Sequence, residues 1–94
     1  MRLIFIGNIQ VSLEILKTIR KLDKDILVGI ITNRNKKPDS ARVDLFSKKF
    51  GIPYILTRNV NNIKSEKWIK SKRPDLILCV GWSQILKKKY TFHS

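Results

Sequence analysis

Residues 5–16 read FIGNIQVSLEIL, and this stretch decides the fold. With Arg2–Ile4 in front of it, the first part is an unbroken β-branched and aromatic run of strand length, ending at Gly7. Strands without alternation are buried on both faces, as in parallel sheets. Beyond the glycine, Ile15, Leu16, Ile19 and Leu22 recur at helical spacing, with Glu14, Lys17, Arg20 and Lys21 on the other side. Ser12 or Asn8 is placed to cap that helix. Strand, glycine and helix are the parts of a phosphate-binding turn. A dinucleotide fingerprint, however, needs Gly-x-Gly-x-x-Gly, because the second glycine lets backbone approach the pyrophosphate. Ile9 holds that place and Ser12 the third. The branched side chain of Ile9 argues against a closely bound pyrophosphate, and no Gly-Lys-Ser/Thr loop occurs either.

Working outward, Asp25–Thr32 reads as a second buried strand. The polar loop NRNKKPDS follows, with Ser40 as a plausible cap. Leu45, Phe46 and Phe50 mark a helix over 41–50, and Gly51 stands where a left-handed C-terminal cap is expected. IPYIL is a short third strand, and Pro53 places it at a sheet edge or at a strand start. NNIKSEKWIKSKR gives a third helix anchored by Ile63, Trp68 and Ile69, and Pro74 ends it. Asp75–Gly81 is a fourth buried strand, and WSQILKKK opens a loop or helix. The order β-α-β-α-β-α-β predicts an α/β, Rossmann-like open and mostly parallel sheet with helices on both faces. Ligands of such sheets bind at the carboxyl ends of the strands, here beside the switch point between strands one and four. The turn after Gly7 and the loop after Gly81 meet there.

The 94 residues make one small domain, 1–94, with 90–94 read as a frayed tail. No apolar run reaches the ~18 residues of a membrane span. The apolar run near the start is shorter than the ~7–15 residues of a signal-peptide core, so a cytoplasmic protein is expected. Cys79 sits in an apolar strand and reads as an inert core thiol. One Cys and one His do not complete a zinc shell, so no metal site is expected. The net charge is +13, from 20 Lys plus Arg against 7 Asp plus Glu. Nucleic-acid binding is one explanation of that charge. Lysine dominance and even spacing favour solvated faces instead. His93, two residues from the end, reads as exposed and idle. Asp75 lies at the amino end of strand four, away from the site, and Asp23, Asp25, Asp39 and Asp44 are read as loop or helix-surface groups. No acid–base pair emerges from spacing.

Three segments, RLIFIGNIQVSLEIL, GIPYIL and RPDLILCVGWSQILKK, resemble the amino-terminal half of the formyltransferase family. The landmarks are a first strand ending in Gly-Asn, Gly-Ile-Pro before strand three, Pro-Asp-Leu-Ile at strand four, and Gly-aromatic-x-x-Ile-Leu after it. They stand in order over about residues 1–89. The resemblance implies 10-formyltetrahydrofolate as formyl donor and an amine as acceptor. It implies that Gly81, Trp82, Ser83, Gln84, Ile85 and Leu86 line the pterin pocket, where backbone amides and aliphatic walls suit a flat ring rich in donors and acceptors. Core packing explains Ile85 and Leu86 equally well, and a hydrophobic lid on the sheet end explains Trp82 equally well. Asn8 and Gln10 become acceptor-side candidates, with turn chemistry as the competing role.

The family's catalytic Asn-x-His, its Ser-Leu-Leu-Pro and its later Asp have no match here. Thr91 stands two residues before His93, so no catalytic residue is assigned. The expectation is a partial, truncated formyltransferase domain, inactive alone, completed by the missing carboxyl-terminal half or self-associating. The GWSQ form and the short TNRNKKPDS loop look closer to members that modify sugars than to those that act on tRNA, so a small-molecule or nucleotide-sugar amine is the expected substrate. The competing readings are a basic nucleic-acid-binding module and a nucleotide-binding or regulatory α/β domain. The regulatory form wants an acidic cluster after strand one, which Gly7-Asn8 does not supply.

Overall fold

The computed structural model describes residues 1–34 and 38–82. Seven elements follow in the expected order: β1 (Leu3–Ile6), α1 (Gln10–Leu22), β2 (Leu27–Thr32), α2 (Val43–Lys49), β3 (Tyr54–Leu56), α3 (Ile63–Lys72) and β4 (Leu76–Cys79). The four strands form one all-parallel sheet in the order β3-β2-β1-β4. The chain therefore winds outward from β1 to β3, then returns across β1 to place β4 on its other side. That reversal puts the switch point between β1 and β4, as the pattern of elements predicts.

Alternate residues of the central strands feed two cores. Leu3, Phe5, Leu27 and Ile30 pack with Leu16 of α1 and with Val43 and Phe46 of α2. Ile4, Ile6 and Ile31 pack on the other face with Val60 and with Ile69 of α3, joined by Trp68. Helices thus cover both faces. A register step between Leu3 and Ile4 brings Leu27 and Ile30, three residues apart, onto one face. Gly29 makes room for α3, since a Cβ there would lie 2.6 Å from the Trp68 ring.

Local chemistry sets the boundaries. The amide of Ile52 bonds the Ser47 carbonyl, that of Gly51 bonds Lys48, and Gly51 has φ +66°, a complete Schellman end to α2. The chain then enters β3 through Pro53 at the sheet edge, where the lost N–H costs nothing. Asn62 Oδ1 accepts from the Ser65 amide at 2.8 Å and starts α3. The Arg2 guanidinium donates to the Lys72 carbonyl at its far end, and Asp75 Oδ2 accepts from the Arg2 amide at 2.7 Å. Asp75 is thus spent on the amino end of the sheet, away from the switch point.

Several expectations need correction. Cys79 is exposed, and β4 is only partly buried, because it stands at the sheet edge among the described residues. Leu22 and Ile63 are 82% and 71% exposed and belong to no core. Ser40 caps nothing; it forms an isolated antiparallel bridge with Ile9, and Arg42 holds the position before α2. Asp44 is buried at 1% exposure and is no surface carboxylate.

Candidate functional site

The carboxyl end of the sheet is built around the β1–α1 turn. A Cβ on Gly7 would lie 2.5 Å from both Ser12 Oγ and the Val80 carbonyl oxygen. Ser12 Oγ itself donates to that carbonyl at 2.7 Å and accepts from the Ile9 amide at 3.4 Å. The lone glycine of the opening stretch therefore serves helix-to-sheet contact. It clamps the first turn of α1 onto the end of β4. Gly81 follows with φ +68°, and a Cβ there would sit 2.4 Å from Ile9 Cδ1. The branched side chain that argues against a pyrophosphate is the packing partner of the loop after β4.

A second segment closes the turn from the other side. The amide of Gln10, the first of α1, donates to the Asp39 carbonyl at 2.8 Å, and the Ala41 amide donates to the Asn8 carbonyl at 2.9 Å. With the Ile9–Ser40 bridge, residues 39–41 form a strap over the turn. An α1 N-terminus that spends its leading amide on its own chain is a poorer anion cradle than a free one. The strap is tied down by Asp44, whose carboxylate accepts from Arg42 Nε and Nη2, each at 2.9 Å, and from Arg34 Nε at 3.3 Å. The Arg42 hydrogen bond outweighs burial and holds the Asp44 carboxyl down at about 2. The same bond pushes the Arg42 pKa upward.

Of the candidate residues, Asn8 is buried and its Nδ2 donates to Asn33 Oδ1 at 2.6 Å, joining the carboxyl ends of β1 and β2. Gln10 is exposed and donates to Glu14 Oε1 at 3.0 Å. Gly81 meets the β1 turn directly. Trp82 packs against the Ile4–Ile6–Ile31 core on the α3 side, with its Nε1 buried and without a hydrogen-bond partner among the described residues. Ser83, Gln84, Ile85 and Leu86, like Thr91 and His93, lie outside the described residues. Gly7, Asn8 and Gly81 are therefore brought to one end of the sheet, while Trp82 packs on its α3 face and Gln10 is exposed. Asn33 and the strap escape sequence reading. Asn33 follows β2 as Asn8 follows β1, which is the only local hint; the strap depends on pairing 30 residues apart.

The buried polar groups here, Asn8, Ser12 and Thr32, are amides and hydroxyls. They are already hydrogen-bonded within the chain and supply neither acid nor base, so their part is to hold the turn in shape. Among the described residues no cluster of His, Cys, Asp or Glu can hold a metal ion, and no helix is long and apolar enough to cross a membrane. Although Cys79 is exposed as a residue, partial desolvation of its sulfur at the sheet edge pushes the thiol up, away from nucleophile chemistry.

No family model matches the chain. Methionyl-tRNA formyltransferase from Thermotoga maritima is 27% identical over 95 residues, covering 95% of this chain and 30% of the relative. The enzyme of the same name from Thermotoga sp. is 26% identical over the same share. The chain thus spans about a third of the length of these relatives. Among solved structures, phosphoribosylglycinamide formyltransferase from Anaplasma phagocytophilum superposes with a TM-score of 0.70 at 19% identity, covering 96% of this chain and 43% of that one, which shows the shared fold. The sequence relatives are formyltransferases and the structural neighbour shares the fold, so over nearly its whole length this chain is similar to part of a formyltransferase.

Proposed function

We propose that the chain forms the folate-side part of a formyltransferase domain. In this reading the end of the sheet at Gly7 and Gly81 accepts the pterin of 10-formyltetrahydrofolate. Gly81, Trp82, Ser83, Gln84, Ile85 and Leu86 form the wall, and Asn8 and Gln10 face the acceptor amine. The observation that carries it is the contact of Gly81 with Ile9 beside the Ser12–Val80 clamp. It puts the Ile9 side chain where a phosphate loop has glycine, which supports a site of backbone amides and aliphatic groups at this end of the sheet. The donor supplies the formyl group. The chain's part is to bind and orient it and to keep water from the ring. The residues that polarise the formyl carbonyl in the family have no counterpart in this sequence, so the 94-residue chain by itself binds weakly and transfers nothing.

The short TNRNKKPDS loop favours a sugar-linked amine as acceptor. A second reading, methionyl-tRNA, is favoured by the names of the sequence relatives. A formyl-transfer assay on a chimera separates them. This chain replaces the matched segment of the Thermotoga maritima enzyme, and amino-sugar nucleotides are compared with methionyl-tRNA. An active chimera that loses at least ~10-fold in turnover on Gly81→Val supports the folate-side role. An active chimera indifferent to that change overturns it.

A further inference from the structure

A groove of about 570 Å³ runs along the seam of α1 and α2, away from the Gly7–Gly81 end. Its floor is apolar, formed by Leu13, Leu45, Phe46 and Phe50. Leu45 is half exposed in this groove. The rim is basic. Lys17, Lys21 and Lys49 stand along it, and the Arg20 guanidinium lies 3.8 Å over the Phe50 ring. Glu14 is already paired with Lys17 at 3.5 Å, and Arg42 is committed to Asp44. Among the described residues no carboxylate pairs with Arg20, Lys21 or Lys49.

We propose that this seam is a docking groove for an acidic amphipathic peptide segment of a partner protein. Charge complementarity selects the sign, because three cations with no carboxylate partner among the described residues, two of them over the Phe50 ring, surround one floor in a chain of net charge +13. The apolar floor selects the amphipathic character, since a helix laid in a groove inserts residues at i, i+3, i+4 and i+7 and turns its polar flanks to the rim. Single-stranded nucleic acid fits less well. Bases need a free aromatic face, and Phe50 already carries Arg20 on one face and meets the Phe46 ring at 4.8 Å edge-on. The 13 residues of α1 span about 20 Å, which matches a partner helix of three to four turns.

Fluorescence anisotropy tests the inference on the 94-residue chain. The probes are a labelled peptide with Leu at helical i, i+3, i+4, i+7 spacing among Glu residues, a scrambled peptide of the same composition, and a single-stranded oligouridine. The expected result is binding of the first probe at least ~5-fold tighter than of the other two, with a ~5-fold loss on Leu45→Ser and on the double change Lys21→Glu, Lys49→Glu. Both variants alter exposed side chains, and their thermal unfolding should match the parent chain. Equal binding of the scramble, tighter binding of the RNA, no binding at all, or indifference to both variants overturns the proposal.

Discussion

β1 and β4 are nearly the same peptide, LIFI against LILC, paired residue for residue from Leu3–Leu76 to Ile6–Cys79. Yet every residue of β1 is buried, and none of β4 is fully so. The difference is position. β1 lies between two strands and beneath two layers of helix, whereas β4 has a paired neighbour on one side among the described residues. Composition therefore records what a strand can bury, and the sheet order decides what it does bury. β3 makes the contrast sharper. It is an edge strand that announces itself, three residues long and entered through a proline.

The largest expected effect breaks the comparison at its centre. Phe5→Ala removes a ring with no exposed surface, and urea unfolding should show a loss of about 3–5 kcal/mol. The matching truncation in β4, Leu78→Ala, should cost about 1–2 kcal/mol because that side chain is only partly covered. Equal losses would mean that β4 is as well packed as β1. Next comes the clamp that holds the two strand ends together. Gly7→Ala drives a methyl group into the Val80 carbonyl, a backbone atom that cannot swing away, and should cost about 1–3 kcal/mol. Gly81→Ala meets the flexible end of Ile9 but forces a left-handed residue, and should cost about 1–2 kcal/mol.

The order of elements, the parallel sheet and the adjacency of β1 and β4 are legible in the sequence, because apolar periodicity and the crossover rules fix them together. Gly51 and Pro53 are legible for a similar reason, since each needs one backbone shape and little else. Burial at the margins is not. Cys79 sits in as apolar a run as Phe5, and only the sheet order exposes it. Asp44 looks like a helix-surface acid until the fold brings Arg34 and Arg42 onto it. At the site, Gly7 is readable as a bend, but its contact with Val80 requires two segments more than 70 residues apart to be known as neighbours. The Asn8–Asn33 pair hides in the same way.

A smaller effect concerns the strap. The Asp44 carboxyl is held below its ordinary value of 3.8 at about 2, so the ionised form stabilises the folded chain. That contribution is full above pH ~4 and fades as pH falls through about 2. Asp44→Asn should cost about 1–2 kcal/mol at neutral pH, and its gap to the parent chain should close as pH approaches 2. A gap independent of pH would remove the arginine clamp from the account. The smallest effect is expected of Cys79→Ser, within about 0.5 kcal/mol, because an exposed edge thiol packs against little.

The most direct measurement is a nuclear magnetic resonance titration of the 94-residue chain with 5-formyltetrahydrofolate, read at two indole N–H groups. Trp82 carries its N–H buried, with no partner among the described residues, at the proposed wall, while Trp68, which packs on the same face of the sheet, lies over Gly29 within β2. A saturable shift of the Trp82 indole and of the Gly81 amide is expected at about 1 mM ligand, with the Trp68 indole unmoved. Shifts confined to the α1–α2 groove, or a Trp82 indole unmoved at ligand concentrations of about 5 mM, would contradict it.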